Sequence, residues 1–481
     1  MDYMKKGEKA TGVLGEGIYP DSADIERQDG RVRIKHVIPY QTVEYVISKK
    51  TGNYAKGRVL NVVKKSPLET VPSEYICPHS QNCGGCLYQT VAYESQIDIK
   101  DRQLRKLIQN YAGSDFIWEG IEKSPLSKGY RNKMEFSFGD EYKGGSLALG
   151  MHKRASHYDI VNCDYCNIVH SDFNKILSFT RDFFKSENTP YFHKNTRNGF
   201  LRHLILRRSE TYKSLLIALV TTDSFGYIQD PNVSKAMPEA CEEVKLLVER
   251  WREGILSLEK KGAFSGKIAG IIHVLNNSYA DAVIDQGSHL LYGDDYITER
   301  LMGLEFKISL FSFFQTNSGA AQILYSVAGR YMGDTSGKSV FDLYSGTGTI
   351  AQLLASYAQK VYGVEIVGEA VVAARENAAR NKITNCEFIE GDVLKIIDSL
   401  LIKPDIIVLD PPRDGIHTKA LPKITGYGAQ KIIYIACKPS SFVRDLPVFE
   451  EAGYRLERAA GVDMFPYTPG VELVALLIMK E

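Results

Sequence analysis

At 481 residues, the chain is long enough for about three domains. Its 44% hydrophobic and 24% charged content is that of a globular protein with more than one core, which excludes a disordered chain, a collagen and a coiled-coil rod. Lys plus Arg number 59 and Asp plus Glu 58, so net charge argues neither for nor against nucleic acid, and any basic surface must be local.

No apolar stretch approaches the roughly 20 residues of a membrane span. The amino terminus, MDYMKKGEKATG, has charges but no apolar run behind them, so it is not a secretory signal. A cytoplasmic protein without a membrane partner is expected. Its eight cysteines are too few for a disulfide scaffold and point to metal binding, catalysis or burial. Five of them fall in two groups, Cys77/Cys83/Cys86 and Cys163/Cys166.

Residues 8–62 read as short strands, among them Arg31–Ile38, Glu44–Ile47 and Arg58–Val63, punctuated by Gly15, Gly17, Gly30, Gly52 and Gly57. That pattern suits any small β-domain, or an OB-like barrel that holds single-stranded nucleic acid. Pro67, Pro72 and Pro78 mark a linker-like segment around the first cysteines. Residues 91–111 then predict an amphipathic helix with Ile97, Ile99, Leu104 and Leu107 on its apolar face. Residues 129–310 are β-rich. Within them, Lys194 to Arg208 carries Lys194, Arg197, Arg202, Arg207 and Arg208 and no acid. It reads as a solvated face or as a phosphate-contacting strand.

From residue 338 the rhythm becomes strand, helix, strand, helix. Strands are expected at Ser339–Asp342, Val361–Glu365, Glu387–Ile389, Asp405–Asp410, Lys431–Cys437 and Val471–Met479. This alternation predicts an α/β Rossmann-like domain, a doubly wound and mostly parallel sheet whose ligands bind at the carboxyl ends of its strands.

The first strand ends in Asp342-Leu343-Tyr344-Ser345-Gly346-Thr347-Gly348-Thr349. Gly346 and Gly348 allow close backbone approach, and the third glycine of a dinucleotide fingerprint is missing. Glu365 ends the next strand, where a carboxylate can hold both ribose hydroxyls, and Asp392 ends the third, beside the adenine edge. Together these features favour S-adenosylmethionine over NAD.

The fourth strand ends Asp410-Pro411-Pro412-Arg413, without the aromatic residue that serves exocyclic amines, and the fifth ends Ala436-Cys437-Lys438-Pro439. Cys437 is placed where a methyl donor should lie, with Lys438 and a helix opening near Ser440 and Ser441 to stabilise a thiolate. Pyrimidine carbon 5 needs such a thiolate, because attack on carbon 6 creates the enolate that carbon 5 reacts through. Glu472, a carboxylate in the apolar run Val471-Glu472-Leu473-Val474-Ala475, is the candidate base for the carbon 5 proton. The spacing Cys77-x5-Cys83-x2-Cys86 is that of metal ligands and leaves zinc and iron–sulfur both open, with Cys163 or Cys166 as a remote fourth ligand.

These residues closely resemble the RNA uracil-C5 methyltransferase family, in particular its ribosomal-RNA branch with an N-terminal TRAM domain and an iron–sulfur cluster. Phe313-Phe314-Gln315-Thr316-Asn317, the Asp342–Gly348 turn, Asp410-Pro411-Pro412-Arg413, Cys437-Lys438-Pro439 with Arg444-Asp445-Leu446, and Asp463-Met464-Phe465-Pro466 before Glu472 occur in family order. The resemblance implies S-adenosylmethionine contacts from Gln315, Tyr344, Glu365 and Asp410, with Cys437 as nucleophile and Glu472 as base. It implies a [4Fe–4S] cluster on Cys77, Cys83, Cys86 and a remote cysteine, for which the register after Asp159-Ile160-Val161 favours Cys166 over Cys163.

Three domains follow: residues 1–66 as an OB-like TRAM RNA-binding domain, 67–310 as a cluster-bearing central RNA-binding domain, and 311–481 as the methyltransferase domain. The implied substrate is a uridine of 23S ribosomal RNA, flipped out of its stack, and the implied state is a monomer. A transfer-RNA substrate and a non-catalytic RNA-binding factor are the alternatives. A cytosine-C5 enzyme is disfavoured, since Asp410-Pro411-Pro412-Arg413 lacks a cysteine. Two departures bear on base positioning: Lys438 stands where asparagine is usual, and Gly470 where histidine is usual.

Overall fold

The computed structural model describes residues 4–51, 54–156, 158–226, 239–396 and 402–480, so Gly52 lies outside the described residues. The chain forms two compact units. One comprises Met1–Ile76, Cys86–Ser127 and Gly319–Glu481, the other Cys77–Gly85 and Lys128–Ser318.

In the first unit the N-terminal segment forms a six-stranded sheet in the order Lys9–Val13, Thr42–Thr51, Tyr54–Lys64, Gly30–Lys35, Ser22–Arg27, Gly17–Ile18. Its pairs are antiparallel except Gly30–Lys35 with Tyr54–Lys64. The Gly15 N–H donates to Asp24 O at 2.8 Å, which draws the exit of the first strand toward Ser22–Arg27. This is the order of an OB-like barrel. Alternation puts Val32, Ile34, Val43, Tyr45 and Ile47 inside, as the period of a strand requires.

The same unit holds an eight-stranded sheet in the order Cys386–Glu390, Lys360–Glu365, Ser339–Leu343, Ile406–Leu409, Lys431–Ala436, Glu472–Met479, Tyr454–Val462, Ile117–Glu122. The first five strands are parallel, and Glu472–Met479 runs antiparallel to both neighbours. Ile406–Leu409 is buried throughout, the mark of a strand covered on both faces.

Each strand expected after residue 338 is present within a residue or two. Tyr454–Val462, with Arg455, Glu457 and Arg458, has too broken an apolar pattern to announce itself. The edge strand Ile117–Glu122 pairs parallel with it from far upstream. The expected helix spans Tyr93–Ala112. Its Leu104 and Ile108 are fully buried in one core with Phe341, Phe449 and Ala459.

The second unit is built on a seven-stranded sheet ordered Ile160–Asn162, Ala148–His152, Lys133–Gly139, Leu201–Arg208, Ser214–Thr221, Lys267–Leu275, Ser288–Gly293. Its parallel pair, Ser214–Thr221 with Lys267–Leu275, encloses the helix Glu242–Lys260, since a parallel pairing needs a crossover.

The basic segment is neither a solvated face nor a phosphate-contacting strand over Leu201–Arg208, because every residue there is buried. Arg202 Nη1 donates to Asn276 O (2.9 Å) and Ser278 O (2.6 Å). Arg207 Nε donates to Leu310 O (2.9 Å). These guanidiniums satisfy loop carbonyls that would otherwise be buried unpaired. Among the described residues, no helix is long and apolar enough to cross a membrane.

Candidate active site

The turn after Ser339–Leu343 folds as its sequence demands. Tyr344, Gly346 and Gly348 have φ of 70°, 53° and 73°, a region that glycine enters without cost. The two glycines do different work. A Cβ on Gly348 would lie 2.6 Å from Phe388 and 2.9 Å from Ala374, so this glycine lets the helix Thr349–Ala355 pack. A Cβ on Gly346 would meet nothing within 4 Å, so this glycine faces open space. Glu365 turns its carboxylate back onto the turn, with Oε2 accepting from the Gly346 N–H and Oε1 from the Val367 N–H, both at 2.9 Å.

Asp342 is fully buried, and its Oδ2 accepts from the Ala351 N–H at 2.9 Å. Its Oδ1 has no protein hydrogen-bond partner. Burial, then the Asp410 carboxylate, push its pKa well above the carboxylate range, with Glu365 adding to them and the Ala351 N–H opposing. Burial alone pushes Asp410 up to about 7. A turn flanked by three carboxylates and an orphaned buried oxygen is short of positive charge. S-adenosylmethionine is a cation with two ribose hydroxyls, and these residues fit it.

Asp392 accepts from the Leu394 N–H at 3.0 Å and caps a short helix, Val393–Ile396. Gln315 falls in the second unit, where Asn132 Nδ2 donates to its carbonyl at 3.1 Å. Arg207 holds the carbonyl of Leu310 just ahead of it. In the adjoining pair, Phe314 packs against Phe306 with ring centroids 6.0 Å apart, whereas Phe313 is 67% exposed.

We predict that Gly346→Ala folds but loses S-adenosylmethionine binding at least about tenfold, whereas Gly348→Ala loses at least about 2 kcal/mol of stability through overpacking and strain. Calorimetric titration and thermal melts distinguish the two.

Cys437 follows the last residue of Lys431–Ala436 and precedes the helix Pro439–Glu451. That helix clamps the Asp410-Pro411-Pro412-Arg413 loop: Ser441 Oγ donates to Arg413 O at 2.8 Å, and buried Asp445 accepts from Tyr434 OH (2.8 Å) and the Ile416 N–H (3.2 Å). Glu472 begins its strand opposite Val462 and is 3% exposed.

Cys437, Glu472, Asp410 and Arg413 act on one another electrostatically. Burial, then Asp410, raise Glu472 to about 8, against Arg413. Burial, then the Glu472 and Asp410 carboxylates, push the Cys437 thiol up to about 11. The expected thiolate stabilisation is therefore absent without ligands, because Lys438 is exposed and Arg413 is the opposing cation.

Two features escaped the sequence. Lys100 and Asp463 form a fully buried ion pair at 2.6 Å, and Lys100 Nζ also donates to Phe465 O at 3.3 Å. The Tyr467 N–H donates to Gln96 Oε1 at 2.8 Å. The helix Tyr93–Ala112 thus holds the loop that leads into Glu472. The second is Tyr19, from the N-terminal barrel, which lies within electrostatic reach of Glu472, Cys437 and Arg413. Nothing in the spacing of the barrel residues marks it.

Of the expected ligand set Cys77, Cys83, Cys86 and Cys166, the thiols of Cys77, Cys83 and Cys166 lie within electrostatic reach of one another. Among the described residues, no group of three or more His, Cys, Asp or Glu side chains is arranged to hold a metal ion. Instead Cys163, set aside in favour of Cys166, hydrogen-bonds Cys83 and holds its thiol below the usual value, while its own is pushed up. The loop itself is pinned to its own unit: the Gly84 N–H donates to His152 O at 3.0 Å, and Arg154 Nη2 donates to Ser80 O at 3.1 Å. Cys86 opens a stretch of the first unit, whereas Cys77, Cys83 and Cys166 belong to the second.

An acid-flanked glycine turn, a ribose-type carboxylate on the next strand and a cysteine at the edge of a mostly parallel sheet define an S-adenosylmethionine-dependent methyltransferase. Residues 282–480 match the family model for tRNA (Uracil-5-)-methyltransferase. An uncharacterised RNA methyltransferase of Caldanaerobacter subterraneus is 43% identical over 98% of this chain and 99% of its own length. Another from Clostridium tetani is 40% identical over 99% of each. The fold is that of the Pyrococcus abyssi tRNA (uracil-54, C5)-methyltransferase solved with S-adenosyl-L-homocysteine, at TM-score 0.70 and 22% identity over 98% of this chain and 100% of that one. The chain belongs to the RNA uracil-C5 methyltransferase family.

Proposed function

We propose that this enzyme methylates carbon 5 of a uridine in 23S ribosomal RNA through a covalent adduct of Cys437 with carbon 6. The observation that carries the reading is the placement of Cys437, Glu472, Asp410 and Arg413 in one half-buried cluster at the carboxyl edge of the sheet. Bound S-adenosylmethionine supplies an electrophilic methyl group. Gly346 leaves room for it, and Glu365 exchanges its bonds to the turn for ribose hydroxyls. The Cys437 thiol gives its proton to solvent and the resulting thiolate adds to carbon 6, leaving an enolate whose carbon 5 takes the methyl as S-adenosylhomocysteine departs. Once carbon 5 carries the methyl, ionised Glu472 takes its proton, the ring double bond re-forms, and sulfur leaves as thiolate. Tyr344 and Asp392 complete the proposed cofactor contacts.

Sulfur must approach from above the ring plane, so the uridine is taken out of its stack. Mapping 5-methyluridine in ribosomal and transfer RNA from cells with and without the gene tests the substrate. Loss of the mark from transfer RNA alone replaces the ribosomal reading.

On the spacing Cys77-x5-Cys83-x2-Cys86 and the family resemblance, a [4Fe–4S] cluster completed by Cys166 is proposed, with no part in methyl transfer. Protein made anaerobically should carry about four iron atoms per chain. Stoichiometric zinc without iron overturns the cluster. Iron retained in Cys166→Ser moves the fourth ligand to Cys163.

A further inference from the structure

The N-terminal barrel and the catalytic loop are seated on the same helix. At Gly17 a Cβ would lie 2.3 Å from Gln103 Nε2 and 2.9 Å from Pro39, so the strand Gly17–Ile18 rests directly on the helix Tyr93–Ala112. Lys106 of that helix pairs with Glu16 at 3.0 Å. The helix also carries Lys100 and Gln96, which hold Asp463 and Tyr467 ahead of Glu472. Fully buried Tyr88 sits in this junction: Leu87 and Tyr88 both donate their N–H to Tyr467 O, at 2.9 and 3.0 Å, and Tyr88 and Tyr19 act on one another.

Tyr19 comes immediately after the strand seated on Gln103 and is itself half-buried. Its surroundings include Glu472, Cys437, Arg413 and Tyr88. The seating of Gly17–Ile18 on the helix thus brings a half-buried phenol of the barrel within electrostatic reach of the nucleophile and the base.

We propose that Tyr19 is a residue of the catalytic pocket: the barrel delivers its ring as a wall that shields Cys437 and Glu472 from water and contacts the target pyrimidine. This rests on the methylation chemistry above and gives the barrel a second task beyond holding RNA. Burial, then the Glu472 and Cys437 charges, keep the Tyr19 hydroxyl un-ionised across the working range, with Arg413 opposing, so the wall stays neutral. The groups that face Cys437 are Glu472, Asp410 and Arg413 together with Tyr19, and Lys438 points to solvent.

Two measurements on the full chain test the proposal. The first needs no RNA: alkylation of Cys437 by iodoacetamide against pH, read by peptide mass. Tyr19→Ala should admit water, lower the thiol pKa by about one unit and speed alkylation about tenfold below that pKa. Tyr19→Phe should keep the ring and the slow rate. The second is the rate of adduct formation on 5-fluorouridine RNA at saturating RNA, which Tyr19→Ala should slow about tenfold or more while S-adenosylmethionine binding is unchanged. Wild-type behaviour of Tyr19→Ala in either measurement overturns the proposal, as does fast alkylation in both variants, which would mean a loosened barrel. If wild-type protein forms no adduct, the methylation chemistry itself fails, and the alkylation series still decides where Tyr19 sits.

Discussion

Replacing Cys437 with alanine should lower turnover by at least about 10⁴-fold while leaving S-adenosylmethionine affinity within about twofold. The expectation follows from where the residue sits. It directly follows a buried strand of the sheet, and its main chain is fixed by the helix that starts two residues later, so truncation removes the sulfur without disturbing the fold. With 5-fluorouridine RNA, wild-type protein should form a gel-stable adduct, because fluorine cannot leave as a proton does. An adduct that persists in Cys437→Ala assigns the nucleophile elsewhere. Since burial and the neighbouring carboxylates push the thiol up to about 11, adduct formation should accelerate as pH rises from 7 toward 10. A rate flat over that interval would show that RNA binding itself brings the thiol down.

Glu472→Gln should separate the steps differently. Sulfur addition and methyl transfer should survive, elimination should fail, and methylated RNA should remain joined to Cys437. Turnover should fall by about 10²–10⁴-fold. A variant as fast as wild type means that another group takes the proton.

The same substitution carries a stability signature. Burial, then Asp410, raise the Glu472 pKa from 4.5 to about 8 in the folded protein. A carboxylate raised in this way favours the fold fully below its unfolded pKa, and that favour is lost as pH climbs through the folded pKa. Glu472→Gln should therefore melt close to wild type at pH 4 and increasingly above it from pH 4.5 to 8. Beyond pH 8 the difference should stay level, at several kcal/mol. Melting curves at pH 4, 6 and 9 check the sign.

What the sequence revealed and what it withheld divide along physical lines. Parallel strands buried on both faces read as uninterrupted apolar runs, so Ile406–Leu409 and Lys431–Ala436 are visible without a structure. So is Glu472, a carboxylate among aliphatic residues. Ile117–Glu122 is invisible because its partner, Tyr454–Val462, is distant in the chain and interrupted by charge. The arginines of Leu201–Arg208 mislead because sequence shows their charge but not the carbonyls of Asn276, Ser278 and Leu310 that accept from them. The cysteines illustrate the limit of spacing, which proposes ligands without fixing which thiols meet. The structure pairs Cys83 with Cys163. Tyr19 and the Lys100–Asp463 pair depend wholly on tertiary proximity, and no local pattern encodes either.

The first unit is assembled from three separated stretches of chain, and this has a consequence for how the protein is made. As the ribosome extends the chain, the barrel and then the Lys128–Ser318 stretch can mature while the helix Tyr93–Ala112 still shows its apolar face. The strand Ile117–Glu122 finds its partner only when Tyr454–Val462 emerges, about 340 residues downstream, so at ordinary elongation rates the helix waits tens of seconds with Leu104 and Ile108 uncovered. Nascent chains stalled before residue 454 should therefore be the species that chaperones hold, and the emergence of Tyr454–Val462 should decide whether the first hundred residues become part of an enzyme.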